Sequence, residues 1–403
     1  VNALDELRTL IEGGDVAGVA RVVRSLAPAE RRAAGRWLPT FLREVRRLCP
    51  HGRVDPRHAP SLWLAGAGCA IRAGTAAKWL AHREILRFWT PNSEHVAYLS
   101  HVLHDRPTPW LADLATHYAD AFRPQRGTWE VAATLLRAGG VEPPRHDPLV
   151  VAWCEAVDRA DWGRLRADPF LPVMAPRIFV AEGVGAALTV NAPRQAHRIA
   201  RLVAAGRLPR PMLLAGCLSR FLRGGEARHL RFFTLLYREL APTADEAADH
   251  VVSFLRLLPG AAGPVAELAA EELRRAAEGG WLSGLELREA LEALLFRREK
   301  RIVRSALSWL DRAAYRPDGD DALAALPVVF GGEVNDVAAR AVRIAVRHAR
   351  RAGDQVRMEI AAAASTLPSE LREPLVRVGF PVTRGRAAKA GAAVVVRGGG
   401  VSG

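Results

Sequence analysis

Helix boundaries are written along almost the whole of this sequence while strand signals are nearly missing, so a packed set of helices is the architecture open to it. Two capping boxes are explicit: Thr243 with Glu246 in TADEAADHVVSFLRLL, and Ser283 with Glu286 in SGLELREALEALLF. In each, the hydroxyl accepts from the backbone amide three residues on, and the carboxylate reaches back to the cap amide. Asp15 is placed to cap VAGVARVVRSL, Ser93 to cap EHVAYLSHVLH, and Pro28 to occupy a first turn, where its missing amide proton costs nothing. Pro264 after Gly263 opens VAELAAEELRRAAE, and Gly279 with Gly280 closes it. The one β-branched run of note, AAVVVR at 392–397, sits in a Gly-rich end.

From residue 226 the helices fall into a rhythm, with starts expected near 226, 243, 263, 283, 299, 319, 335 and 354. Alternate starts lie roughly 35 to 40 residues apart, the period of two-helix HEAT-like units. A helix hairpin of that size cannot bury its apolar stripe alone and must stack on its neighbours. The expectation is therefore an all-α, HEAT-like α-α superhelix of antiparallel helix pairs. Four segments are expected: an N-terminal helical region at 1–141, a Pro-rich joint at 142–176, HEAT-like repeats at 177–380 and a disordered Gly-rich tail at 381–403.

Composition bounds the setting. The chain has 403 residues, of which 49% are hydrophobic, enough for a large core. Its formal net charge is +14, and three of its 57 basic residues are lysine, the rest arginine. Such a field attracts polyanions or acidic proteins, although so strong a preference for arginine also fits the coding bias of a GC-rich genome. Cys49, Cys69, Cys154 and Cys217 are scattered, with no C-x-x-C spacing, and read as buried reduced thiols. The opening VNALDELRTLIEGG carries Asp5 and Glu6 where a signal peptide needs basic residues, and no stretch approaches the roughly 18 apolar residues of a membrane span. A cytoplasmic setting without membrane contact is the expectation. Val1 in place of Met reads as a non-standard start or a fragment.

At LRADPFLPVMAPRIFVAEGVG (165–185), LLAGCLSRFLRGGEARHLRFF (213–233), LAPTADEAADHVVSFLRLLPG (240–260) and ALLFRREKRIVRSALSWLD (293–311), the chain resembles an uncharacterised family of bacterial HEAT-like repeat proteins. The stretch GDVAGVARVVRSLAPAERRAAGRWLP (14–39) is similar to that family's N-terminal helix pair. The resemblance implies an all-helical repeat fold and a non-enzymatic role in interactions, with no catalytic residue to carry over. Members are often longer, which implies that a C-terminal portion is lacking here.

Signatures of catalysis are missing: no G-x-x-x-x-G-K-[ST] loop, no H-E-x-x-H helix and no G-x-S-x-G elbow. GAGCAIRAG (66–74) has a dinucleotide look but lies in a helical run and follows no strand. His95, His101, His104 and His117 crowd one region, and Asp318, Asp320 and Asp321 another. Surface histidines and an Asp cap are the simpler readings, so no metal and no cofactor is expected. Trp153, Asp158 and Trp162 in AWCEAVDRADW form the nearest set for a base-excising site of the kind some HEAT-like DNA glycosylases use on alkylated bases. Aromatics at helical spacing are more often core.

Two arginine stripes carry the stronger signal. In RREKRIVRSALSWLDR, Arg297, Lys300, Arg301 and Arg304 share one face; in NDVAARAVRIAVRHARRAG, Arg340, Arg343, Arg347, Arg350 and Arg351 span about a third of the circumference, with Val342, Ala345, Val346 and Ala349 opposite. As equivalent members of successive repeats, the two helices are expected side by side. The expected function is a scaffold binding another macromolecule, foremost a protein with an acidic surface and alternatively a nucleic acid. A plain solvated face is the competing reading. Glu299 falls on the apolar side of the same wheel, so an arginine partner from an adjacent helix, Arg288 or Arg340, is expected.

Overall fold

The computed structural model describes residues 2–49, 53–123, 128–317, 319–332 and 335–382. The described residues are all-α, with no strand among them. They divide into two compact units, Val1–Pro242 and Thr243–Gly403. The Pro-rich stretch 142–176 lies inside the first unit and contributes parts of the helices Asp147–Arg159, Trp162–Arg166 and Leu171–Arg177. Most of the expected tail, from residue 383 on, and the AAVVVR run fall outside the described residues.

The first unit is built around Ala59–Cys69, a helix buried at every position. A helix apolar all round has no solvent face to offer, and this one is enclosed by Val16–Ser25, Pro28–Leu48, Ala73–Leu80 and Ser93–Leu103. The Gly-rich GAGC sequence belongs to it. A β-carbon at Gly66 would come within 2.2 Å of the Trp79 ring, and one at Gly68 within 2.4 Å of Val102. Those glycines admit neighbouring side chains to the helix axis, which accounts for them without a phosphate. At Ser93–Leu103 the cap is Asn92 rather than Ser93: its side chain accepts from the His95 amide, and the His95 ring closes the box.

In the second unit helices begin at Ala244, Gly263, Gly284, Lys300, Gly319, Asn335 and Asp354, each within one residue of its expected start. Both capping boxes form, at Thr243 and at Ser283. The helices Gly263–Glu278, Lys300–Ala313 and Asn335–His348 touch in succession, as do Gly284–Leu295 and Gly319–Leu323. Gly284–Leu295 also packs against Lys300–Ala313. Lys300–Ala313 thus buries its apolar stripe, Ile302, Val303, Ala306, Leu307, Trp309 and Leu310, between its sequence neighbours and the helices on either flank.

Arginine has a recurring structural use. Arg106 donates to the carbonyls of Gly68 and Ala70 at 2.7 and 2.8 Å, Arg198 to Asp158 and Ala160 at 3.1 and 2.6 Å, and Arg210 to Leu240 and Ala241 at 2.6 and 3.0 Å. Arg177 donates instead to two loop carbonyls, of Pro143 and Pro144, at 2.7 and 2.8 Å from one nitrogen. The last carbonyls of a helix have no partner within it and carry the negative end of its dipole. A planar guanidinium with several donors satisfies two at once, which an ammonium on a flexible stem does less well. Burial lowers the pKa of Arg106, Arg177 and Arg198 from the ordinary arginine value. The preference for arginine therefore has a physical part beyond any coding bias.

Candidate functional site

The two basic helices of the second unit do lie side by side. Arg304 donates to Asp336 at 2.7 Å, Arg340 donates to the Ser308 hydroxyl at 2.7 Å, and Arg347 pairs with Asp311. On the other flank of Lys300–Ala313, Arg301 pairs with Glu267 and Arg274 donates to Ser305 at 2.7 Å, its guanidinium over the Trp309 ring at 5.5 Å. The result is a ladder across three helices in which residues 31 to 37 apart in sequence pair. Below it, His348, wholly buried, meets Asp311 at 2.9 Å through Nε2. Arg351 lies over the Tyr315 ring and donates to its carbonyl at 3.2 Å.

The stripe residues differ in what they do. Arg301, Arg304 and Arg347 are exposed although paired, with side chains 81%, 54% and 54% accessible. The Arg304–Asp336 pair is exposed on both sides and worth ~0–1 kcal/mol, whereas Glu267 and Asp311 are 25% and 24% accessible and hold their guanidiniums more firmly. Lys300, Arg343 and Arg350 are exposed and make no hydrogen bond or ion pair among the described residues. The Arg304 hydrogen bond holds the Asp336 carboxyl below its usual range.

Arg297 is a correction. Its side chain is only 7% accessible, and it donates to the Leu258 carbonyl at 2.5 Å, the Ala261 carbonyl at 2.8 Å and Glu299 at 2.6 Å. It caps the end of Val251–Leu257 as the arginines of the first unit cap theirs, and it is no part of the exposed face. Glu299 is corrected with it. The helix begins at Lys300, so Glu299 has extended cap geometry, lies off the helical wheel and stays 45% accessible. Its partner is Arg297 from the preceding turn; Arg288 instead pairs with Glu292 and Glu359 at 2.9 and 3.3 Å. A carboxylate that is buried in this unit is Glu272, paired with Arg275 at 2.9 Å.

The remaining sets do not assemble. Asp158 follows Trp153 by five residues, which places it ~140° round the helix. Asp158 accordingly takes a 2.6 Å hydrogen bond from Asn191, Trp162 lies beneath Arg201 at 4.2 Å, and the Trp153 indole donates to Asp168 at 2.8 Å. His101 bonds Arg24 at 2.8 Å and His117 meets the Asp113 carbonyl at 2.7 Å. Asp318 lies outside the described residues, and Asp320 accepts from the Gly353 amide at 3.1 Å. Among the described residues no three His, Cys, Asp or Glu side chains gather as a metal site would need, and no helix is long and apolar enough to cross a membrane. Arg274, missed in the sequence because with Arg275 as its one basic neighbour on the helix it forms no stripe, joins the ladder only through the packing.

Comparison with family models, with curated proteins and with solved structures finds no match to this chain.

Proposed function

We propose that the chain is a HEAT-like α-solenoid acting as a non-enzymatic scaffold, and that it holds an acidic protein segment against the face formed by Lys300–Ala313 and Asn335–His348. The ladder of like contacts between alternate helices supports the repeat reading. The observation that carries the binding role is the alignment of the two stripes, with Lys300, Arg343 and Arg350 exposed and outside the hydrogen bonds among the described residues, and with Arg301, Arg304 and Arg347 exposed and preset by their pairs. A carboxylate on a partner can displace Asp336 from Arg304, a pair exposed on both sides, at a cost of ~1 kcal/mol or less.

This mixed face favours a protein over a nucleic acid. Tracking a phosphate backbone takes a run of uncompensated cations and gives a salt dependence that steepens with each phosphate neutralised. Here three carboxylates stand among the guanidiniums. The test is a triple change at positions that make none of the ladder's hydrogen bonds, Lys300→Gln, Arg343→Glu and Arg350→Glu, with Lys300 neutralised rather than reversed because it lies near enough to Asp336 to act on its charge. Crosslinking with the intact chain in its source cells, followed by reconstitution with the purified partner, should give a stoichiometric complex with an acidic protein that the triple variant loses. Retention of that complex by the variant, or tight binding of a DNA duplex with a steep salt slope, would overturn the proposal.

A further inference from the structure

One group of arginines in the first unit clamps no helix end. Arg83 opens the short helix Arg83–Leu86, and Arg87 continues its turn in helical conformation, so the two stand four residues apart on one side of it. Arg53, from the segment before Ala59–Cys69, joins them: the Arg53 and Arg87 guanidiniums lie 5.2 and 5.3 Å from the centre of the Phe88 ring. All three arginines are exposed, and none makes a side-chain hydrogen bond or ion pair among the described residues. Asp55, close to Arg53 in the chain, is taken by Arg57 at 3.2 Å. Like charges gathered in this way repel, and an anion from outside relieves the repulsion.

Phe88 supplies a second element. It is 51% exposed, whereas the next ring, Trp89, is anchored inward against Trp63 and His95 at 5.5 and 5.0 Å. A guanidinium lying flat on a ring comes to ~3.5–4.0 Å. Both guanidiniums are farther out than that, so they flank the ring and leave it room for a flat partner. A cleft of about 370 Å³ adjoins the turn, with Arg83 and the exposed Arg123 in its wall.

We propose that this patch binds single-stranded nucleic acid, an unpaired base stacking on Phe88 and the flanking phosphates meeting Arg53, Arg83 and Arg87. Stacking on an exposed ring and phosphate contact with arginine are the two interactions a single strand offers together. A base pair in a duplex keeps its faces covered and offers only the second. A membrane surface fits less well: docking there takes an apolar face of several side chains, and among the described residues Phe88 is the one large apolar side chain exposed between residues 72 and 179. The patch belongs to the first unit and does not draw on the face assigned to an acidic protein.

Fluorescence anisotropy of labelled RNA and DNA single strands of about 12 nucleotides, titrated with the full chain, tests this. At least one strand should bind with a dissociation constant of about 1–100 µM, and the logarithm of affinity should fall against that of salt with a slope of about −2 for three phosphates. The combined Arg53→Gln, Arg83→Gln and Arg87→Gln variant should lose at least about tenfold in affinity and flatten the slope. Phe88→Leu should lose about tenfold and keep the slope. All four changes are at exposed positions, and circular dichroism checks that the variants are folded. The Lys300→Gln, Arg343→Glu and Arg350→Glu variant should bind the strand as the parent does. The proposal fails if neither strand binds at about 100 µM, if the arginine variant or Phe88→Leu binds as the parent does, or if a duplex of the same sequence binds as tightly. Loss of the strand in the second-unit variant, or capture by phosphatidylserine vesicles without binding of either strand, likewise overturns it.

Discussion

Replacing Arg297 by alanine separates a structural arginine from a binding one. The guanidinium satisfies two carbonyls, of Leu258 and Ala261, in a place where only 7% of the side chain meets solvent. Each carbonyl left unpaired and buried costs ~1–3 kcal/mol. Water can enter part of the space vacated, so the lower part of that range applies and the two together give about 2–4 kcal/mol. Glu299 is 45% accessible, and losing its partner adds no more than about 1 kcal/mol. In the second unit this corresponds to a drop of about 5–10 °C in melting temperature. Hydrogen exchange of the backbone over residues 251–261, together with urea unfolding, reads the effect locally and globally. The pH dependence adds a second check. The Arg297 hydrogen bond holds the Glu299 pKa below its ordinary value. A depressed carboxyl contributes stability that is present above its unfolded pKa, roughly 4.3, and lost as pH falls through the lowered folded value. The gap between the parent and Arg297→Ala should therefore narrow on going from pH 7 to below about pH 4. Arg343→Ala, at an exposed position with no hydrogen bond or ion pair among the described residues, should change stability by less than ~0.5 kcal/mol. Equal effects of the two substitutions, or an Arg297→Ala protein as stable as the parent, would refute the assignment.

Three further outcomes follow from the packing. Gly66→Ala gains ~1 kcal/mol of helix propensity but drives a methyl into the Trp79 ring, an overpacking cost of ~1–3 kcal/mol, so thermal unfolding should show a net loss. Gln195 is 1% accessible with neither amide atom hydrogen-bonded among the described residues; Gln195→Met should raise the urea midpoint, by about 1–2 kcal/mol in stability, and a fall would show that the amide is satisfied. Among the thiols, burial pushes Cys69 up to about 12 and raises Cys154 and Cys217 further, while Cys49 is half-buried. A maleimide at neutral pH should label Cys49 first and the other three only on unfolding, and early modification of Cys154 or Cys217 would contradict the burial.

Much of the candidate face was legible because its information is local. The spacing of Arg340, Arg343 and Arg347 against Val342 and Ala345 fixes which side of the helix is wet, and capping boxes spanning three residues fix where Ala244–Ala248 and Gly284–Leu295 begin. Arg297 and Arg343 look alike on that scale, each one basic residue in a stripe. What divides them is a pair of carbonyls 36 and 39 residues back along the chain, brought within reach of one and not the other. The same holds for Trp153, whose partner is Asp168 rather than Asp158, nearer in sequence. By itself the sequence determined that the chain is helical, where its helices start and which faces are apolar, since period and caps act within a few residues. Only the tertiary structure decided which charges are spent on helix ends and which are left for a partner, because hydrogen bonds between residues far apart in sequence depend on the packing that brings their helices together.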